Sequence, residues 1–146
     1  RRFHTPYEQG HGRYRTGHGP WRDGRAGSSF RQIQGWDGFS VKHDLDEYGG
    51  GGYAVGGASK CFEIKADDLS WNHFAYTIMP ALRDLTRGKG ATKLIGGWVD
   101  NDGVAYIELS DIVQNRKDAI TLGWMRGEKA IYDLSNNEEI EIPQDL

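Results

Sequence analysis

The residues of this chain that could support acid–base chemistry lie in two regions. His43 and Asp46 stand shortly before four consecutive glycines, and Glu108 lies within a later apolar stretch. An imidazole and a carboxylate can act as general base and general acid when the fold brings them together. The same residue types are common at solvated strand ends. The sequence therefore leaves an enzyme open, with His43, Asp46 and Glu108 as its catalytic candidates, but favours a non-catalytic protein.

Three further patterns resemble known sites but lack required residues. Residues 100–103 read Asp-Asn-Asp-Gly, without the additional oxygen ligand and the later glutamate of a calcium loop. Residues 88–93 contain a Gly-Lys pair, without the flanking glycine and hydroxyl residue of a phosphate-binding loop. Cys61 is the only cysteine, so it forms no intramolecular disulfide, and it could serve as a nucleophile only beside a histidine. A buried structural thiol is the favoured interpretation.

Three histidines recur every seven residues near the beginning of the chain, at His4, His11 and His18. Imidazole is a common metal ligand. Glycines interrupt this segment, however, so the spacing places the three rings on no common face. We expect no metal site and no cofactor.

Residues 1–29 differ from the rest of the chain in charge and composition. They contain six arginines and two acidic residues, which gives a net charge of +4, whereas residues 30–146 carry −7. Glycine or proline recurs every few positions, so this segment has too little apolar surface to fold alone. We predict an extended arm over 1–29 that binds a partner. Its predicted contact residues are Phe3, Tyr7, Arg13, Tyr14, Arg15, Trp21 and Arg22.

Two kinds of partner fit the arm. Aromatic side chains offer large contact areas to a neighbouring protein subunit, either another protein or a second copy of this chain. Interleaved arginines and aromatics, such as Arg13-Tyr14-Arg15, are also typical of segments that bind single-stranded nucleic acid. The negative charge of residues 30–146 favours the protein partner.

Residues 30–146 alternate between strand-like and helix-like patterns. The predicted strands are 39–42, 53–55, 61–64, 94–99, 104–109, 129–134 and 139–142. One predicted helix begins at Asp67 or Asp68 and runs to Arg87, with a kink or break at Pro80. A second helix is predicted at 116–126. The glycines at 49–52 predict a mobile loop, and residues 100–103 predict a hairpin turn.

This order predicts an α+β fold: a single small domain, 30–146, with a mostly antiparallel sheet and two helices, plus the extended N-terminal arm at 1–29. No apolar run approaches the roughly 18 residues that a membrane span requires, so we expect no membrane partner.

The pattern of residues 94–142 resembles a domain of tailed-bacteriophage and prophage proteins of actinobacterial type, often found in minor-head (MuF-like) products. The matching features are a G-x-W-V strand, a Y-x-[DE]-x-S strand, a helix with Asp-Ala and an A-I-Y-D-L strand. Here they fall on Gly97, Trp98, Val99, Tyr106, Glu108, Ser110, Asp118, Ala119, Ala130, Ile131, Tyr132, Asp133 and Leu134. Residues 38–41 and 52–55 extend the resemblance. Glu128 and Lys129 depart from it, since the family carries an Asn-Gln pair there.

The resemblance implies a phage context but no catalytic residues. We therefore expect a minor structural or cargo protein of a virion, found in the particle or in the host cytoplasm during assembly. Its domain would dock and its arm would bind neighbouring subunits. The alternative is a small phage or prophage toxin or anti-defence enzyme that acts on nucleotide or nucleic acid.

Overall fold

The predicted strands pair into one antiparallel sheet. A computed structural model describes residues 23–87 and 93–145 of the chain. The strands are β1 (Phe39–Val41), β2 (Tyr53–Val55), β3 (Phe62–Lys65), β4 (Lys93–Val99), β5 (Val104–Val113), β6 (Ala130–Asp133) and β7 (Glu138–Glu141). Each overlaps a predicted strand. With three helices in the described part of the chain, the predicted α+β class is confirmed.

Strand β5 organises the sheet because it is long enough to pair with three others. It has ten residues and pairs with β4 along most of its length. On its other side, β3 pairs with the first part of β5 and β2 with its end. The order is β1-β4-β5-β2-β6-β7, with β3 beside β5, and all pairs are antiparallel.

The turn between β4 and β5 forms as predicted. Asp100 accepts hydrogen bonds from the backbone N–H groups of Asp102 and Val104, at 2.9 Å each, and Gly103 has a φ of 85°. The hydrogen bond from the Val104 N–H is the largest of the effects that lower the pKa of Asp100. This carboxylate therefore closes the turn, which accounts for the Asp-Asn-Asp-Gly sequence without a bound ion.

The first described helix, α1 (Asp23–Gln34), overlaps the predicted arm: residues 23–29, which were predicted to be extended, are helical. Gly24, Gly27 and the serines at 28–29 are weak helix formers and suggested irregular chain. The apolar residues Ala26, Phe30 and Ile33 recur at helical spacing and are buried. Tertiary packing therefore overrides local propensity here.

The second helix, α2, covers residues 71–86 and begins later than predicted. Residues Ala66–Asp68 form a separate 3-10 turn, and Ser70 caps the helix by accepting a hydrogen bond from the His73 N–H. The helix comprises an α turn (Trp71–His73), a π segment (Phe74–Ile78) and an α segment (Met79–Thr86).

Pro80 does not split α2. The N–H of Met79 bonds to the carbonyl of Phe74, five residues earlier, so the π segment ends just before the proline. Proline has no N–H to continue the α pattern, and the wider turn accommodates that missing donor.

Helix α3 (Arg116–Met125) confirms the predicted second helix. Asn115 caps its beginning by accepting a hydrogen bond from the Asp118 N–H at 3.0 Å. Gly127 follows its end with a φ of 75°, a left-handed conformation that glycine adopts without steric cost.

The described residues contain two hydrophobic clusters. In the larger one, α1 and α2 pack onto the sheet through residues such as Ile33, Phe74 and Ile107. In the smaller one, α3 packs onto β2 and β6, with Ala119 against Val55 and Ile131. Full burial of one such large side chain stabilises a fold by about 1.5–3 kcal/mol. In the described part of the chain, no helix is long and apolar enough to span a membrane.

Side chains hold the glycine loop that the composition predicted to be mobile. The hydroxyl of Tyr48 donates to the carbonyl of Gly51 at 2.9 Å, and the Leu134 N–H donates to the carbonyl of Gly52. A Cβ on Gly51 would lie 2.7 Å from Oγ of Ser135. Gly51 therefore allows close packing against the β6–β7 turn, whereas a Cβ on Gly49 would meet nothing within 4 Å.

Candidate functional site

One face of the β3–β5–β4 region carries the side chains that are not used in the core. Along β5, Ala105, Ile107 and Leu109 are buried, whereas the alternate residues Tyr106 and Glu108 are only partly buried. Trp98 and Glu63 lie opposite Tyr106 on the two neighbouring strands. We call the surface formed by Glu63, Trp98, Tyr106 and Glu108 the outer face.

An aromatic pair occupies one end of the outer face. The rings of Trp98 and Tyr106 are stacked, with centroids 4.7 Å apart and planes 19° apart. The hydroxyl of Tyr106 donates to Oδ2 of Asp100 at 3.0 Å, and this hydrogen bond is the main reason that the pKa of Tyr106 is raised. Trp98 nevertheless remains 45% exposed. The turn thus fixes a large aromatic surface that faces solvent.

Two carboxylates meet beside this aromatic pair. The Gly57 N–H donates to Oε1 of Glu108 at 2.9 Å. A Cβ built on Gly56 would lie 2.8 Å from Oε2 of Glu108 and 2.7 Å from Oε1 of Glu128. Glu128 comes from the connection between α3 and β6. The absence of a side chain at Gly56 therefore lets both carboxylates approach one point.

Both carboxylates hold their protons more tightly than usual. Burial raises the pKa of Glu108, although the Gly57 N–H and Arg126 oppose this effect. Burial and the neighbouring charge of Glu108 raise the pKa of Glu128. Two carboxylates that share a partly dry site resist simultaneous ionisation. Such a pair can hold and transfer a proton at a higher pH than an isolated glutamate.

Arg126 lowers the pKa of both glutamates through its charge, and its hydrogen bonds go to the sheet. Its Nη1 donates to the carbonyls of Val55 and Gly56, at 3.3 and 2.9 Å, and its Nη2 donates to Oδ2 of Asp111 at 2.6 Å. Lys93 donates to the other oxygen of Asp111. Burial alone would raise the pKa of Asp111, but the hydrogen bonds from Lys93 and Arg126 lower it. The guanidinium of Arg126 is thus largely committed to its own chain.

Cys61 directly precedes β3 and lies near these carboxylates. Burial, together with the charges of Glu108 and Glu63, raises the pKa of its thiol to about 12. Since the thiolate is the nucleophilic form, the raised pKa makes Cys61 a weak nucleophile at neutral pH. The thiol is only partly buried, whereas the sequence predicted a buried one.

The structure places the three catalytic candidates in different surroundings. Nδ1 of His43 lies 2.6 Å from Oγ1 of Thr86, and that hydroxyl donates to the carbonyl of Arg83. In the neutral imidazole, Nδ1 then carries the proton and Nε2 is the acceptor. Asp46 is exposed in the loop after β1. No hydrogen bond or ion pair joins Glu108 to either residue in the described chain, so the predicted set does not assemble into one site.

The predicted arm contacts and the three histidines near the beginning of the chain belong to the part that the structure does not describe. Within 23–87 and 93–145, no group of three or more His, Cys, Asp or Glu side chains could hold a metal ion.

Sequence reasoning missed two members of the carboxylate site, Arg126 and Glu128. The only signal was the departure from the phage-domain pattern at residues 128–129. Comparisons with family models, with curated proteins and with solved structures each gave no significant match to this chain.

Proposed function

We propose that this chain is a minor structural or cargo protein of a bacteriophage particle, and that it docks onto neighbouring protein through its outer face. The resemblance of residues 94–142 to phage minor-head-associated domains supports the phage context. The observation that carries the docking role is the exposed stack of Trp98 on Tyr106. In this proposal, the chain functions in the particle, or in the host cytoplasm during assembly.

Physical chemistry favours such a stack as a docking anchor. Tryptophan and tyrosine contribute large contact areas and are enriched among the residues that dominate binding energy. The hydrogen bond from Tyr106 to Asp100 and the stacking of the rings fix both side chains before a partner arrives. Little conformational entropy remains to be lost on binding, and this preorganisation strengthens association.

Sedimentation of particles tests this proposal. The chain is produced together with the particle, and its presence in the particle fraction is followed with an antibody. We expect Trp98→Ala to reduce incorporation at least about tenfold, the effect of losing one aromatic anchor. Trp124→Ala is the matched control, because Trp124 is 43% exposed and lies on α3 rather than on a strand of the outer face. Equal incorporation of both variants and the unchanged chain would refute the docking role of Trp98.

The carboxylate pair favours a second candidate function, a small phage or prophage enzyme that acts on nucleotide or nucleic acid. The observation behind it is that Glu108 and Glu128 both have raised pKa values beside Gly56. A protonated carboxyl could serve as the general acid in hydrolysis. Nuclease and nucleotide-turnover assays test this function. Glu108→Gln and Glu128→Gln should each abolish activity, and His43→Ala tests the predicted histidine. Blank assays with the unchanged chain would exclude it.

A further inference from the structure

The outer face has an uncovered position beside Trp98. One side of the indole is stacked on Tyr106. Gly38 lies next to the tryptophan, and its Cβ position is 3.8 Å from the Cβ of Trp98 and 2.9 Å from the carbonyl of Gly97. A side chain at position 38 would collide with that carbonyl, and glycine has none to cover the ring. A planar group from another molecule can therefore stack on Trp98.

The surroundings of this position are negatively charged. Glu63 lies next to Tyr106 on β3, and Glu108 lies two residues further along β5. Glu128 adds a third carboxylate beside Glu108. Burial is the largest cause of the raised pKa of the Cys61 thiol, and the charges of all three glutamates add to it. The outer face thus combines an exposed aromatic surface with carboxylates.

A guanidinium group fits this combination better than any other protein side chain. It is planar and stacks on aromatic faces, and it forms paired hydrogen bonds with carboxylates. Lysine would supply the charge but not the stacking geometry. The partner chemistry is therefore an arginine-bearing segment.

The chain itself contains such a segment. Residues 1–22 carry five arginines and one glutamate, and Arg13 and Arg15 are separated by a single residue. In an extended chain, residues two apart lie on the same side and about 6.6 Å apart. Glu108 lies diagonally opposite Trp98 across the β4–β5 pair, because Trp98 is paired with Tyr106 and Gly96 with Glu108, and such diagonal neighbours are about 7–8 Å apart. Two arginines at this spacing can therefore meet the aromatic pair and the carboxylates at the same time.

We propose that Arg13 and Arg15 of a second copy of this chain bind the outer face, one stacked on Trp98 and the other paired with Glu108 and Glu128. This inference rests on the proposed docking function and names its partner. In the single chain Trp98 stays 45% exposed, which leaves the position open to another molecule. Arg13 and Arg15 come ten and eight residues before Asp23, so an extended chain could carry them roughly 30 Å from it, enough to reach a neighbouring copy.

A complementation experiment tests the pairing. Self-association of the full chain is measured by sedimentation velocity over a range of concentrations. Trp98→Ala removes the receiving position, and the double variant Arg13→Ala/Arg15→Ala removes the incoming side chains. Each variant alone should associate at least about tenfold more weakly than the unchanged chain, the loss typical of one strong contact. An equimolar mixture should restore association, because each variant keeps the half that the other lacks.

Controls separate binding from folding. Glu63→Lys reverses an exposed charge on the outer face and should weaken association without lowering the urea midpoint of unfolding. Trp124→Ala should leave association unchanged. Association should also weaken at high salt, because oppositely charged surfaces attract less under screening.

Three results would overturn the inference: a monomeric unchanged chain at every concentration, association that is insensitive to Trp98→Ala, or a mixture that fails to associate. The particle assay distinguishes a failure of this inference from a failure of the proposed function. If Trp98 is needed for incorporation but the chain does not self-associate, docking stands and the second copy is the wrong partner.

Discussion

Glu128→Gln should stabilise this domain at alkaline pH and leave its stability unchanged in acid. Glu108 and Glu128 approach the same point beside Gly56. A neutral amide at position 128 mimics the protonated carboxyl in shape and removes one of the two negative charges. The difference in the free energy of unfolding between this variant and the unchanged chain therefore measures the cost of ionising both carboxyls.

The sign follows from the direction of the pKa shifts. Both glutamates have pKa values raised above the ordinary 4.5, so the folded state binds protons more tightly than the unfolded state. The free energy of unfolding then falls as pH rises from 4.5 through the raised values, and levels off above them. In the Glu128→Gln variant, residue 128 cannot ionise, so the free energy of unfolding falls less as pH rises. The free energies of the variant and the unchanged chain therefore coincide near pH 4.5 and diverge above it.

The magnitude follows from the separation of the charges. The two oxygens are at most about 5.5 Å apart, which corresponds to ~3 kcal/mol of repulsion at an effective dielectric constant of about 20. Both side chains are partly exposed, and Arg126 lowers the pKa of each. Screening reduces the net cost to on the order of 1 kcal/mol, about the value of one pKa unit.

Urea unfolding followed by tryptophan fluorescence measures the effect at several values between about pH 4.5 and pH 8. Glu139→Gln is the matched control, because Glu139 is exposed on β7 and its removal should change little at any pH. A Glu128→Gln variant that is less stable than the unchanged chain at pH 8, or a difference that does not vary with pH, would refute the reasoning.

Three further predictions concern packing, the cysteine and the arginine. Gly97→Ala should destabilise the domain by about 1–3 kcal/mol in thermal or urea unfolding, because its Cβ would lie 3.0 Å from Cδ1 of Ile33 and closer still to the Phe39 ring. Gly96→Ala, whose nearest neighbour would be 3.7 Å away, should be tolerated, and equal effects would contradict this packing. Cys61 should react with iodoacetamide at about pH 8 roughly 10²–10³-fold more slowly than free glutathione, since its thiol has a pKa of about 12. A reaction as fast as that of glutathione would rule out the raised pKa. Arg126→Ala should cost about 2–3 kcal/mol of stability because it removes a donor to the carbonyls of Val55 and Gly56 and one of the two donors to Asp111, whereas Arg87→Ala on the exposed surface should cost little. Similar losses for both arginine variants would contradict this account.

The hairpin at residues 100–103 could be predicted because its cause is local. An aspartate that accepts backbone hydrogen bonds and a glycine with positive φ define the turn within four residues. The same holds for α3, which its Asn115 cap and Gly127 stop delimit. The residues that determine such elements are adjacent to them in the sequence.

Helix α1 could not be predicted because its support is distant. Phe30 packs against the rings of Trp71 and Phe74, each with centroids 5.4 Å away, some forty residues later in the chain. The glycines and serines of the helix indicate loop when they are read alone. Burial against α2 decides the conformation instead.

The carboxylate site illustrates the same limit. Glu108 was a candidate, but its neighbours Glu128 and Gly57 are twenty and fifty-one residues away along the chain, respectively. The spacing of residues along the sequence does not indicate a partner for Glu108. Only the sheet register and the return of the chain after α3 bring these groups together.

Strand β5 also has a consequence for how the domain comes apart. Its Ile107 and Leu109 belong to the larger hydrophobic cluster, and Val113, near its end, packs against the smaller one. Both clusters pack on β5, so unfolding of one cluster displaces a strand on which the other cluster also depends. The two clusters should therefore melt in a single transition, and the amide protons in the middle of β5 should exchange with solvent only when the whole domain opens.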